Sequence, residues 1–258
     1  AAKPAGPVVS TMSCRAGPHC ALVLGAAFVL ACGMACVVYW PALRGPFISD
    51  DLHYVRENPY VKEVSLASVA AITNPRGDAS AMVENWSPVH LLLHAVAWRA
   101  FGERVLGHHL SSLALHVLAS LLLARLLARS GLPETAAWLG GALFLLHPAN
   151  VEAVAWISQL KSVSALALAL AALLLIERRP AVATGMFALA LLAKPTAAFA
   201  LPVAVLFAWM RRHDRAPLRP ATRWLVVWTV VFCAFAFVEL ALFRRSGQDI
   251  HQPDPDLF

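Results

Sequence analysis

Long apolar runs separated by short polar segments organise this chain from about residue 20 to residue 243. The runs lack the alternating pattern of barrel strands, and several approach the roughly 20 residues with which a helix crosses a bilayer. Lipid offers no partners for free backbone groups, so the runs predict α-helices. The pattern predicts an all-α polytopic membrane protein with about seven transmembrane helices. The predicted spans are residues 20–40, 109–127, 136–146, 162–176, 181–193, 196–210 and 224–243.

Polar segments divide the rest of the chain. Residues 1–19, rich in Ala, Pro and Gly, predict a flexible cytoplasmic tail, and residues 244–258 predict a polar C-terminal tail. The longest polar segment, residues 41–108, is expected to be an external loop. Inside it, residues 64–72 and 86–101 have helical spacing, which predicts interfacial or re-entrant helices in addition to the spans.

Composition supports a membrane protein and argues against nucleic-acid binding. Hydrophobic residues make up 59% of the chain, and the net charge is +6. The basic residues stand mostly at helix ends, where they mark the cytoplasmic face and require no nucleic acid partner. Of the five cysteines, only Cys14 and Cys20 lie where they could pair, and no CxxC spacing is present.

Ionisable residues gather at one predicted face of the membrane. With the N-terminus inside, the cytoplasmic segments are net positive and the external segments net negative, as the positive-inside rule requires. Charged groups are costly in a bilayer unless they are paired or solvated, so a shared aqueous cavity is expected on the external side. The residues at this face are Asp50, Asp51, His53, Arg56, His90, His94, His147, Glu152, Lys161 and Lys194.

This set suits glycosyl transfer from a sugar carried on a polyprenyl phosphate. Asp50 or Asp51 would take the proton of an acceptor hydroxyl, and cations would stabilise the departing lipid phosphate. The two carboxylates could instead hold a divalent cation, or simply form a turn or a helix cap. The candidate phosphate ligands are Lys161, Lys194, His147 and Arg56, with His53, His90 and Glu152 as supporting residues.

Several motifs, in order, resemble one family. The chain resembles the membrane part of the transmembrane and tetratricopeptide-repeat-containing O-mannosyltransferase-like proteins and their bacterial relatives, within the GT-C glycosyltransferase superfamily. The resemblance covers about residues 20–243, and its most specific part is HPxxxEAVAW. The motifs are FISDDLHYVRENP (47–59), NWSP (85–88), GHHL (107–110), HPANVEAVAW (147–156) and LAKP (192–195).

The resemblance implies an enzyme with Asp50 and Asp51 as its catalytic or metal-binding residues. It also implies a polyprenyl-phosphate sugar donor, mannose-like, and a protein or glycan hydroxyl acceptor outside the cytoplasm. The expected location is a bacterial inner membrane, with the N-terminus cytoplasmic and the first loop external. Two other classes stay open: a catalytically silent membrane subunit or scaffold that binds other subunits, and, with less support, a transporter.

Overall fold

The computed structural model describes residues 18–83, 86–213 and 219–249. These parts of the chain are helices joined by turns, with no β-strand among them. The predicted tails lie mostly outside the described residues, as do Cys14, Asn85 of the NWSP motif and residues 214–218 of the basic loop. The prediction of an all-α chain is confirmed for the described residues.

Twelve α-helices run through the described part of the chain, with short 3₁₀ or π turns between some of them. The long first loop holds three short helices, α2 to α4, before α5. The helices are α1 (Pro18–Leu43), α2 (Pro59–Lys62), α3 (Leu66–Thr73), α4 (Asp78–Met82), α5 (Pro88–Phe101), α6 (Val105–Arg129), α7 (Glu134–Leu146), α8 (Val151–Ala155), α9 (Leu160–Leu175), α10 (Pro180–Ala193), α11 (Ala200–His213) and α12 (Arg219–Asp249). The turns are Leu52–Arg56 (π) and Pro148–Asn150, Ile157–Gln159 and Pro195–Phe199 (3₁₀).

The prediction of seven full spans is not confirmed, although each predicted span is helical. Among the residues whose side chains the structure describes, three helical stretches are long and apolar enough to cross a membrane, and four other apolar stretches are shorter. At about 1.5 Å per residue, a helix of 13 or 14 residues covers only about 20 Å, less than the roughly 30 Å of a bilayer core. The three long stretches are Val105–Arg129, Ile157–Leu175 and Thr222–Phe243, and the shorter ones are Val29–Leu43, Glu134–Leu146, Pro180–Ala193 and Pro195–Trp209.

Prolines explain why two of these helices are short. Helix α7 ends at Leu146, directly before His147-Pro148, and α10 ends at Ala193, before Lys194-Pro195. Proline disfavours the helical conformation in the residue before it, so each helix stops one residue earlier. Both ends therefore present a polar residue, His147 or Lys194, at the point where the chain turns.

Large apolar side chains cover the outside of the helices. On α12, Val230, Phe237 and Phe243 are mostly exposed, as are Val37 on α1 and Leu143 on α7. A soluble protein rarely leaves so much contiguous apolar surface in contact with water. The apolar helices and their apolar outer surface indicate a membrane protein.

Small residues let the central helices pack closely. The sides of α9 and α10 that face each other and α6 are rich in buried alanine, such as Ala169 and Ala190. Small side chains bring helix backbones near each other, which is how helices associate in membranes. Helix α12 joins this core through Trp228, which stacks on Phe187 at 4.4 Å between ring centroids and donates a hydrogen bond to Thr184.

The helices of the first loop form a small core of their own over one end of the bundle. Asn58 caps α2 by accepting a hydrogen bond from the backbone of Tyr60, and Ser65 caps α3 by accepting one from Ser68. Such caps satisfy backbone donors that the first turn leaves free. The buried side chains of this core come from the loop, from α5 and from one residue beside α9: Tyr54, Val55, Val61, Ile72, Ala79, Val83, Leu91, Ala95 and Ile157.

Helix ends meet in two separate places. Tyr39 near the end of α1 donates to the carbonyl of Leu145 at the end of α7, and the Nε2 of His116 on α6 donates to the same carbonyl. Elsewhere, Arg129 at the end of α6 forms an ion pair with Glu177 just after α9, at 2.9 Å. The chain therefore alternates between two ends of the bundle, and the first loop lies at the end that holds Leu145.

Candidate functional site

The site is a group of polar side chains, here called the polar cluster, at the end of the bundle under the first loop. Its members come from the first loop, from α5, and from the segments around the start of α9 and the end of α10. Polar residues from four separate parts of the sequence thus meet at one place. The polar cluster consists of Asp50, Asp51, Tyr54, His90, His94, Gln159, Lys161, Ser162 and Lys194.

Asp51 is buried and holds two segments together. It is 1% exposed, one oxygen accepts the backbone N–H of Ile48 at 3.0 Å, and the other accepts that of Ser158 at 2.7 Å. Burial raises the pKa of the Asp51 carboxyl, and these two backbone donors offset part of that rise. Asp51 therefore fastens the first loop to the turn before α9.

Asp50 has different surroundings from its neighbour. Its side chain is half-buried and accepts a hydrogen bond from the hydroxyl of Ser49 at 3.2 Å. Its negative charge also acts on Lys161: burial and the charge of Lys194 lower the pKa of this lysine, whereas Asp50 raises it and favours the protonated form. Ser49 itself has a positive φ of 48°, an uncommon backbone conformation that aligns this tight turn. Asp50 is thus the carboxylate of the pair that stays accessible.

The two lysines of the polar cluster are neighbours. Lys194 donates to the hydroxyl of Ser162 at 2.7 Å and to the side-chain carbonyl of Gln159 at 3.4 Å. Lys161 lies over the ring of Tyr54, with 4.7 Å between its Nζ and the ring centroid, and it experiences the positive charge of Lys194. Two half-buried cations side by side favour an anion between or beside them.

A pair of buried histidines lies behind these lysines. The Nε2 atoms of His90 and His94 are 2.8 Å apart, and the two side chains are 0% and 1% exposed. Burial lowers the pKa of His90 well below its usual range, and the neighbouring charges of His94 and Lys161 lower it further. Burial together with the charges of His108 and Lys161 lowers the pKa of His94 to about 3. Both rings are therefore neutral at ordinary pH.

Four of the predicted site residues lie outside the polar cluster. His53, Arg56, His147 and Glu152 are exposed. The Nδ1 of His147 accepts the backbone N–H of Ala149 at 3.2 Å, so this side chain caps the turn that follows α7. The structure brings together Asp50, Asp51, His90, Lys161 and Lys194, and it leaves the exposed four at the periphery.

Three members of the polar cluster carried no sequence signal that singled them out. Tyr54, Gln159 and Ser162 are ordinary residues in the sequence, and only their contacts with Lys161 and Lys194 give them importance. Their positions offer one indirect signal. Tyr54 follows the Asp-Asp pair within one helical turn, and the other two flank Lys161 at the start of a helix.

A divalent cation held by the two carboxylates fits this geometry poorly. Both oxygens of Asp51 already face backbone N–H groups, whereas Asp50 lies in a different environment. Within residues 18–83, 86–213 and 219–249, no group of three or more His, Cys, Asp or Glu side chains is arranged to bind a metal ion. Oxygen-rich sites with several ligands are the usual requirement for such cations.

The fold is that of a membrane protein, and its polar cluster combines two lysines that favour an anion, Lys161 and Lys194, with the accessible carboxylate of Asp50. Two curated proteins are similar to this chain. The protein O-mannosyl-transferase TMTC1 of Mus musculus is 30% identical over 166 residues, which is 62% of this chain and 18% of the mouse protein. The protein O-mannosyl-transferase Tmtc1 of Drosophila melanogaster is 32% identical over 128 residues, 47% of this chain and 15% of the fly protein.

The similarity supports a relationship to these enzymes over part of the chain. This chain spans less than a fifth of the length of either relative. Both relatives are animal proteins, so a bacterial inner membrane stays a prediction. No protein-family model matches the chain. No solved structure matches it either.

Proposed function

We propose that this protein is a membrane glycosyltransferase that moves a sugar from a polyprenyl-phosphate donor to a hydroxyl group on a protein or glycan acceptor. The observation that carries the proposal is the gathering at one end of the bundle of the accessible carboxylate of Asp50 and two lysines, Lys161 over the ring of Tyr54 and Lys194 bound to Ser162, which follows Lys161 in the chain. The similarity to two protein O-mannosyl-transferases supports the same reaction class and a mannose-like sugar. Transfer would take place on the non-cytoplasmic face, where the first loop is predicted to lie.

Each half of the reaction needs one part of the polar cluster. The acceptor oxygen forms a bond to the anomeric carbon while its proton passes to the carboxylate of Asp50. The bond between that carbon and the phosphate oxygen breaks, and the lipid phosphate leaves with the electron pair. Lys161 and Lys194 stabilise the negative charge that develops there. Asp51 positions the loop, because both of its oxygens are engaged with backbone donors.

The test is sugar transfer by the full chain in lipid vesicles that contain a radiolabelled mannosyl polyprenyl phosphate and a peptide acceptor. We expect Asp50→Asn to lower transfer at least about a hundredfold, the range typical of a lost general base. Lys161→Gln and Lys194→Gln should each lower the rate of transfer from the mannosyl polyprenyl phosphate. The matched controls are Asp78→Asn and Lys62→Gln, which change an exposed carboxylate and an exposed lysine of the same loop.

The controls should transfer sugar like the parent protein. If the parent transfers sugar and Asp50→Asn equals it, Asp50 is not the general base. If the parent transfers no sugar from this donor, the enzyme proposal fails. The alternative is then a catalytically silent subunit or scaffold, and purification with its bound membrane partners becomes the next measurement.

A further inference from the structure

The buried histidine pair touches the parts of the polar cluster that carry the lysines. The ring of His90 packs on the ring of Tyr54, with centroids 4.9 Å apart. The ammonium group of Lys161 also lies over the ring of this tyrosine. Asp51 accepts the backbone N–H of Ser158, three residues before Lys161.

The hydrogen bond within the pair fixes which ring nitrogen carries each proton. With Nε2 atoms 2.8 Å apart, one ring must donate and the other must accept. The Nδ1 of His94 is buried without a partner. A buried N–H without an acceptor costs more than a bare nitrogen lone pair, so the proton of His94 is assigned to Nε2. His90 then accepts at Nε2 and carries its proton on Nδ1, which lies 3.5 Å from the hydroxyl of Ser87.

Burial, and after it the charges that face the pair, keep both rings neutral. Lys161 and Lys194 act on His90, and Lys161 and His108 act on His94. No carboxylate is among the groups that act on either ring in the described part of the chain. A further proton on His90 would set two N–H donors against each other at Nε2 and break the bond. Neutrality of the pair is therefore a condition for the hydrogen bond that holds His90 against Tyr54.

We propose that His90 and His94 are positioning residues of the Lys161–Lys194 anion site, with the donated Nε2–H of His94 holding His90 against the ring of Tyr54. The pair itself does not touch the substrate. It sets the position of Lys161 through the tyrosine ring below the ammonium group. The role of the lysines in binding a lipid phosphate rests on the proposed function.

The test compares two replacements of His94 in the full chain, purified in lipid nanodiscs. Gln keeps an N–H donor near the position of Nε2, whereas Leu fills a similar volume without a donor. The matched control is His116→Leu, since His116 is equally buried but donates to the carbonyl of Leu145, far from the lysines in the sequence and outside the polar cluster. Two readouts are needed: the dissociation constant of a polyprenyl monophosphate, and the rate at which Lys161 is acetylated, measured by mass spectrometry.

We expect His94→Leu to weaken binding of the polyprenyl monophosphate about tenfold or more, the effect of losing one buried hydrogen bond that holds the site. Acetylation of Lys161 should become at least about threefold faster, since an ammonium group released from Tyr54 is more exposed. His94→Gln and His116→Leu should stay within about twofold of the parent in both readouts. This pattern supports the positioning role, because a general loss of folding would affect His116→Leu as well.

Other outcomes separate this inference from the proposed function. If Lys194→Gln abolishes binding but His94→Leu binds like the parent, the positioning role is wrong and the phosphate site stands. If His94→Gln binds the polyprenyl monophosphate as weakly as His94→Leu does, the shape of the His94 ring matters rather than its N–H donor. The inference is then also wrong. If the parent binds no polyprenyl monophosphate, the phosphate site fails, and acetylation of Lys161 alone decides whether the pair positions that lysine.

Discussion

Asp50 and Asp51 are adjacent and chemically identical, yet the structure gives them different surroundings. Asp51 points into the protein and accepts two backbone N–H groups, one of them from Ser158, more than a hundred residues away in sequence. Asp50 remains half-buried. Both residues have helical backbone, in which successive side chains point about 100° apart, so one carboxylate serves the fold and the other stays accessible.

This difference predicts unequal effects of substitution on stability. In Asp51→Asn, an NH₂ group replaces one of the two carboxylate oxygens, so one backbone N–H loses its acceptor and faces another donor. This change should destabilise the protein by about 1–3 kcal/mol. Asp50→Asn and the control Asp78→Asn should change stability by less than about 0.5 kcal/mol, as is usual for accessible positions. Thermal unfolding in detergent, followed by tryptophan fluorescence, measures all three. Equal midpoints for Asp50→Asn and Asp51→Asn would contradict the anchoring role of Asp51.

Among the elements, α6 and α7 show how closely the helices approach. Gly141 on α7 faces α6, and a Cβ atom there would lie 2.9 Å from the carbonyl oxygen of Ser120 and 2.8 Å from the Cβ of Ala124. Contact this close leaves no space for a methyl group between the two backbones. Glycine is therefore required at this crossing by packing rather than by backbone conformation.

The crossing leads to a prediction about the two helices. Gly141→Ala should separate α7 from α6 and destabilise the protein by about 1–3 kcal/mol, the usual cost of overpacking. The control is Gly185→Ala on α10, where nothing lies within 4 Å of a new Cβ, and where alanine should be neutral or slightly stabilising. The measurement is the unfolding midpoint in the same detergent. A Gly141→Ala protein as stable as the parent would show that α7 can move without cost.

For the whole molecule, the important arrangement is the separation of its two ends. The first loop and the polar cluster occupy one end, and the ion pair of Arg129 and Glu177 marks the other. The contacts within the protein are the same whichever end faces the cytoplasm, so they do not reveal its orientation. The distribution of basic residues in the sequence predicts that orientation, with the first loop outside.

The orientation can be measured with single cysteines in a chain whose five natural cysteines are replaced. Asp78→Cys lies in the first loop and Arg178→Cys lies between α9 and α10, and both positions are exposed. In intact cells, a membrane-impermeant maleimide should label Asp78→Cys and should label Arg178→Cys only after the membrane is opened. The reverse pattern would place the first loop in the cytoplasm and would rule out transfer on the outer face.

The sequence by itself determined the local structure and the gathering of ionisable groups. Hydrophobic run length and proline position placed every apolar helix within a few residues, because both act on the neighbouring backbone. The alternation of spans placed Lys161 and Lys194 at the same end as Asp50. The number of full spans stays a prediction, since three helical stretches among the described residues are long and apolar enough to cross a membrane and a run such as residues 136–146 is shorter.

Only the tertiary structure decided the role of each polar residue. Burial of Asp51 and His90, exposure of His147 and Arg56, and the inclusion of Tyr54 in the polar cluster depend on contacts between segments far apart in sequence. Local spacing fixes which helix face a residue occupies, but packing between helices fixes what that face meets. For this reason the sequence indicated the kind of chemistry at this end of the bundle, and the structure separated the residues that anchor it from those that can react.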